Sequence, residues 1–81
     1  MNNEGVLVNG RNGETVSITV NGDARDVASG MSVTEFLTSL GLHPRLIVVE
    51  HNREILNRER YDETEVRAGD NFELVHFVGG G

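Results

Sequence analysis

Residues 32–41 read Ser32-Val33-Thr34-Glu35-Phe36-Leu37-Thr38-Ser39-Leu40-Gly41. Ser32 and Glu35 have the spacing of a capping box. The serine hydroxyl accepts from the backbone N–H of Glu35, and the glutamate reaches back to the cap. Val33, Phe36, Leu37 and Leu40 stand at i, i+3, i+4 and i+7, which is one apolar stripe of a helix. Gly41 supplies a left-handed cap and Pro44 bars continuation. The stretch predicts a single helix near residues 33–40 with one face to bury.

The flanking sequence predicts what that face meets. Val16, Ile18 and Val20 alternate with Ser17, Thr19 and Asn21, as in a half-buried strand. Asn21-Gly22 turns the chain, and Arg25-Asp26-Val27-Ala28 returns to close a hairpin. After the helix, Leu46-Ile47-Val48-Val49-Glu50 is rich in β-branched residues and predicts a third strand. His51-Asn52-Arg53 turns it into a short fourth, Glu54-Ile55-Leu56. Residues 57–65 are polar apart from Tyr61 and predict an irregular connection. Gly69-Asp70-Asn71 is a further turn, and Phe72 through Val78 form the last strand. The order β-β-α-β-β-β leaves one helix to cover one face of a mixed sheet. Pairing the first and last strands at its centre gives an α+β domain of the β-grasp type over residues 16–78. Residues 1–15 carry two Asn-Gly pairs and only Val6-Leu7-Val8 as an apolar run. They predict a flexible arm. Gly79-Gly80-Gly81 forms a flexible tail.

A chain of 81 residues has room for one small domain. No apolar run approaches the roughly 20 residues of a membrane span, and the first residues lack the basic and apolar regions of an export signal. The expected location is the cytoplasm. The 13 acidic residues outnumber the 7 basic ones, for a net charge of −6, and every basic residue is an arginine. The arginines are scattered, which argues against nucleic acid as a partner, since phosphate contacts need clustered positive charge. With no cysteine there is no disulfide, thiolate metal site or thiol nucleophile.

Candidate catalytic groups do not assemble in the sequence. No serine sits in a nucleophile elbow, and Ser32 serves as a helix cap. His43, His51 and His76 lie in separate segments without metal-ligand spacing. Glu63 and Glu65 fit a solvated connection. Without lysine no phosphate-binding P-loop is complete. The chain is expected to have no catalytic residue of its own, no metal and no stably bound cofactor.

The triglycine end is the feature that fold alone does not require. Glycines lack side chains, so such a tail can thread a narrow channel and present a carboxylate to another protein. Ordering a loose tail is costly, so a docking surface must supply binding energy. If Phe72 and Leu74 face the helix, the two-residue period turns Glu73, Val75 and Phe77 outward. The same reasoning turns Leu46 and Val48 outward and Ile47 and Val49 inward. Leu46, Val48, Val75 and Phe77 are therefore the candidate docking residues.

Several stretches together resemble the ThiS family, the sulfur carriers of thiamine biosynthesis. They are Ile18-Thr19-Val20-Asn21-Gly22, Ser32 through Leu37, Asn52-Arg53-Glu54-Ile55, Arg58 with Tyr61 and Thr64, Gly69-Asp70, and the ending Val75-His76-Phe77-Val78-Gly79-Gly80-Gly81. The resemblance covers residues 16–81. Two features depart from it: the arm is an addition, and Asn57 stands where family members often have proline.

The resemblance implies a ubiquitin-like carrier that is a co-substrate and not an enzyme. A ThiF-like adenylating partner would join the Gly81 carboxylate to AMP from ATP. A persulfide sulfur from a cysteine desulfurase or another persulfide carrier would convert it to a thiocarboxylate. Thiazole synthase, ThiG-like, would take the sulfur into the thiazole ring. Gly79 and Gly80 would be the slender approach. Other fates share this pattern: the MoaD-like small subunit of molybdopterin synthase, carriers for cysteine synthesis or tRNA thiolation, and a non-catalytic β-grasp interaction module. A ubiquitin-type modifier is a further alternative, although a chain without lysine cannot extend itself through lysine side chains.

Overall fold

The computed structural model describes residues 13–76. Its elements are β1 (Thr15–Val20), β2 (Asp23–Ala28), α1 (Val33–Ser39), β3 (Ile47–His51), β4 (Glu54–Leu56) and β5 (Asn71–His76). They form a mixed five-stranded sheet in the order β2-β1-β5-β3-β4, with α1 across one face. This is the expected β-grasp arrangement, with the first and last strands adjacent and parallel at the centre.

The two hairpins are built by two-residue loops in the left-handed region, whose twist matches that of the strands. Asn21 and Gly22 have φ of 50° and 88° and join β1 to β2. Asn52 and Arg53, at 53° and 74°, join β3 to β4. Arg53 thus sits where glycine is the easier residue.

The capping box at α1 has both bonds. The Glu35 N–H donates to Ser32 Oγ at 3.0 Å, and the Ser32 N–H donates to Glu35 Oε1 at 2.9 Å. At the other end Gly41 has φ 78°. Its N–H donates to the Thr38 carbonyl at 2.9 Å, and that of Leu42 to Leu37 at 3.0 Å. These are the two bonds of a Schellman motif, so Leu40 is the cap and not the last helical residue. The stripe buries Val33, Phe36 and Leu37 completely against Ile18, Val27, Ile47, Val49 and Phe72. The Phe36 and Phe72 rings lie 5.2 Å apart at a tilt of 43°.

Strand β5 holds both halves of the sheet. It pairs antiparallel with β3 from Ile47↔His76 to His51↔Phe72, and parallel with β1 at Thr19↔Asn71 and Val20↔Phe72. Where β1 turns away, Asn21 carries the ladder further. Its N–H donates to the Phe72 carbonyl at 2.8 Å, and its side-chain Oδ1 accepts from the Leu74 N–H at 2.7 Å.

Three details differ from the sequence reading. Leu46 lies in a 3-10 turn, Pro44–Leu46, and β3 begins at Ile47. Pro44 presets the turn, and His43 Nδ1 accepts from the Arg45 N–H at 3.3 Å. The sheet starts before residue 16: Thr15 pairs with Ala28, and the Glu14 carbonyl accepts from the Ser29 N–H at 2.9 Å. Residues 1–12 of the expected arm lie outside the described residues. The connection after β4 is also more ordered than its polarity implies. It contains a 3-10 turn at Arg58–Arg60, and Tyr61 behind it is only 3% exposed. The Tyr61 hydroxyl donates to the Ile47 carbonyl at 2.8 Å. Burial pushes this phenol above its ordinary value, with Arg58 acting against the shift, so it stays a neutral donor through the physiological range. Thr64 and Met31 then accept from Val33 and Val66, tying the connection to the start of α1.

Asp70, 8% exposed, is the buried acid. Its Oδ2 accepts from the Arg67 N–H at 2.9 Å and lies 3.1 Å from His51 Nε2, while Oδ1 accepts from Asn52 Nδ2 at 3.1 Å. Asn52 also bonds both backbone groups of Asn71, through its own N–H and its Oδ1. The β3–β4 turn is thereby locked to the entrance of β5. Burial alone would raise the Asp70 carboxyl. The Arg67 N–H, Asn52 and His51 outweigh it and hold the group below its ordinary value. A depressed folded-state value contributes stability above the unfolded value, near 3.8, and loses it as pH falls through the lower folded value. Asp70→Asn is expected to destabilise the domain by about 1–2 kcal/mol at neutral pH. Urea unfolding at pH 7 and at pH 3 should show the wild type losing its advantage over the variant as the acid protonates.

Candidate functional site

The face of the sheet opposite α1 follows from strand parity. Ile47 and Val49 are 1% and 0% exposed on the helix side. Their neighbours Val48 and Glu50 therefore point the other way. On β5, Phe72 is buried, which turns Glu73 and Val75 to the same outer face. The register places Val48 directly opposite Val75, and Glu50 directly opposite Glu73. The two-residue loop after His51 sets β4 so that Ile55 lies opposite Glu50.

This face is apolar where it is open. Val75 is 59% exposed, Ile55 66% and Leu46 41%, and Val48 is half-buried between them. Fully burying one such side chain is worth about 1.5–3 kcal/mol before the costs of association are met. A shallow hollow runs along the β4 edge, lined by Val48, Ile55, Leu56, Asn57, Arg58 and Tyr61. The patch sits at one end of the sheet. Ile47↔His76 is the last described pair of β3 and β5, and the chain leaves for residues 77–81 from there. Val48 and Val75 thus meet on one surface near His76, the last described residue, while Leu46 is exposed in the 3-10 turn before β3, outside the strand alternation expected to place it. Phe77, Gly79, Gly80 and Gly81 lie outside the described residues.

Ile55 was not among the residues singled out from the sequence. A three-residue strand gives too little alternation to assign a face. The usable signal was the two-residue loop, which fixes the register and places Ile55 beside Glu50.

The remaining polar groups have local roles. His43 caps the 3-10 turn. His51 stacks on Phe72 with ring centroids 4.9 Å apart and planes 15° from parallel. His76 is exposed at the end of β5. Glu63 and Glu65 border an open hollow with Glu35, Asp62 and Thr64. Among the described residues, no three His, Asp or Glu side chains converge as metal ligands, and no helix is long and apolar enough to cross a membrane.

The two faces should respond oppositely to charge. Val75→Asp is expected to leave unfolding stability within about 0.5 kcal/mol of wild type, as at an open surface. Val49→Asp should abolish cooperative unfolding, because it buries an unpaired carboxylate in the core. Circular dichroism during urea titration of the two variants checks this, and equal damage from both would mean the strand faces are misassigned.

Comparison with known proteins gives consistent matches. The model of the ThiS family matches residues 6–81, ten residues more than the resemblance read from the sequence. The sulfur carrier protein ThiS of Bacillus subtilis strain 168 is 44% identical over 50 residues, covering 62% of this chain and 76% of its own length. A thiazole synthase of Paramagnetospirillum magneticum is 36% identical over 66 residues. That match takes in 82% of this chain, but the chain spans only 20% of the synthase. The crystal structure of the thiamine biosynthesis protein ThiS from Geobacter metallireducens superposes with a TM-score of 0.71 at 40% identity, covering 82% of this chain and all of that one.

Proposed function

The chain belongs to the ThiS family, the sulfur carriers of thiamine biosynthesis, and from that membership we propose that its working group is the carboxylate of Gly81. The observation that carries the reading is the extent of the family match, which runs through the Gly79-Gly80-Gly81 ending.

In the proposed cycle a ThiF-like enzyme binds the carrier and ATP. A Gly81 carboxylate oxygen attacks the α-phosphorus of ATP, the bond to pyrophosphate breaks, and an acyl-adenylate forms. AMP is a far better leaving group than oxide, so the carbonyl carbon is open to a sulfur nucleophile. The terminal sulfur of a partner's persulfide attacks that carbon and expels AMP. A second thiol then cleaves the acyl disulfide, freeing the Gly81 thiocarboxylate and leaving a disulfide on the donor. Both sulfur groups must come from partners, since this chain contains no cysteine. A cysteine desulfurase or another persulfide carrier meets that need.

Thiazole synthase is the proposed acceptor of the sulfur. The support is that two thiazole synthases, from Paramagnetospirillum magneticum and Magnetococcus marinus, each match this chain over 20% of their length. Carrier-like sequence and synthase share one polypeptide in those relatives. The face bearing Val48 and Val75 is the proposed docking surface, with Leu46 and Phe77 as the further candidates read from the sequence, and its proposed task is to hold the carrier while the tail enters a partner's active site. ATP is consumed by the partner and is not a resident cofactor. A step that needs ATP fits the cytoplasm as the site of action.

The tail chemistry makes length decisive. Deleting Gly81 shortens the reach by about 3.5 Å, whereas a misplacement of about 1 Å can already cost a hundredfold in rate. Intact-mass spectrometry after incubation with ATP, the adenylating enzyme and a persulfide donor should show one oxygen replaced by sulfur in the full chain. The Gly81 deletion and a chain extended by one residue should show no such gain. A thiolated deletion variant, or a full chain that never gains the mass, would overturn the proposal.

A further inference from the structure

The outer face carries a like-charge pair at a place where a sheet ordinarily avoids one. Glu50 and Glu73 are directly opposite each other on β3 and β5. Residues so placed have Cβ atoms about 4.5–5.5 Å apart, and like charges there oppose folding. Val48↔Val75 is the next pair on the same face, and Ile55 flanks Glu50 from β4. The two carboxylates therefore border the open apolar patch, with Val48, Val75 and Ile55 on one side and Asn71, the next outward residue of β5, on the other. Among the described residues neither takes part in an ion pair. Arg58 borders the hollow at the β4 edge and makes no ion pair among those residues either.

We infer that this face is built to receive a cationic side chain of the adenylating partner, an arginine at the edge of an apolar surface, which meets Glu50 and Glu73 as Val48, Ile55 and Val75 are covered. The inference rests on the carrier reading above and adds to it what the partner's surface must present. Charge complementarity commits the occupant. A neutral apolar surface reaching over that edge would desolvate two unpaired carboxylates with nothing to compensate them. A guanidinium, planar and with donors in a fork, can serve both carboxylates and lie flat on apolar neighbours. The same pair discriminates, since an acidic or uncharged surface of equal shape is penalised. The net charge of −6 works in the same direction by steering the carrier toward a basic surface.

The test compares binding of the full chain to the purified adenylating enzyme by calorimetry at 50, 150 and 400 mM salt, with urea unfolding alongside (concentrations roughly spanning the range over which screening changes). The double variant Glu50→Gln with Glu73→Gln should unfold at an equal or higher urea concentration than wild type, because the repulsion is gone. It should nevertheless bind at least about tenfold more weakly at low salt, with a flatter salt dependence. Stability kept while affinity falls excludes misfolding as the cause. Glu50→Arg with Glu73→Arg should bind more weakly still. Ile55→Ala and Val75→Ala test the face by itself. If they weaken binding while the double glutamine variant binds as wild type with the same salt slope, the cation-receiving role is wrong and the docking face stands. If none of the variants alters binding, the docking face itself is wrong.

Discussion

Phe72 stands at the entrance of β5 with the ring of Phe36 on one side and the imidazole of His51 stacked on the other. That contact fixes the depth at which β5 enters the sheet. It packs the central strand against the helix and also against the strand that hairpins with β4. Removing such a ring from a core costs about 3–5 kcal/mol, a large part of what a domain of this size has. Every other placement follows from it. Once Phe72 points to the helix, Glu73 and Val75 must point away.

The long polar segment between β4 and β5 is what allows this. It must carry the chain from an edge strand back to the start of the central one, and it has few apolar residues to hold it. Tyr61 and Val66 pin it into the core, and its backbone bonds to Met31 and Val33 fasten it beside the start of α1. Asp70 finishes the return. With its carboxylate held by the Arg67 N–H, His51 and Asn52, it turns the chain so that the next residue but one is Phe72. A buried acid at that position is costly in isolation, and here its bonds to three neighbours offset the cost.

Local chemistry was legible and long-range roles were not. The capping box, the stripe and the left-handed Gly41 define α1 within ten residues, so sequence spacing contained the answer. The Asn21-Gly22 turn was equally plain. The Asn52-Arg53 turn was readable as a turn, although Arg53 occupies a conformation that its side chain disfavours. Tyr61 gave no periodic signal, because it is one aromatic in a polar run, and its partner, the Ile47 carbonyl, is 14 residues away. Asp70 read as a turn residue, which it is, but a single charged letter does not reveal three donors drawn from separate segments. On the outer face, Val48 and Val75 were assigned by alternation. Ile55, in a strand too short to alternate, needed the register.

If the outer face docks as proposed, its composition answers a conflict that any docking surface meets. A partner surface needs exposed apolar groups, yet an open sheet face of Val48, Ile55 and Val75 invites self-association. Glu50 and Glu73 at the edge of the patch act against this. Two copies that meet face to face through this patch would bring four carboxylates together with no cation between them, which like-charge repulsion and desolvation both oppose. The price is a strained pair within the free domain. Because β3 and β5 are held from the other side by Ile47, Val49 and Phe72 in the core, the sheet can carry that repulsion without losing its register. The stability of the buried face is therefore what would permit the exposed one to be selective in the proposed docking.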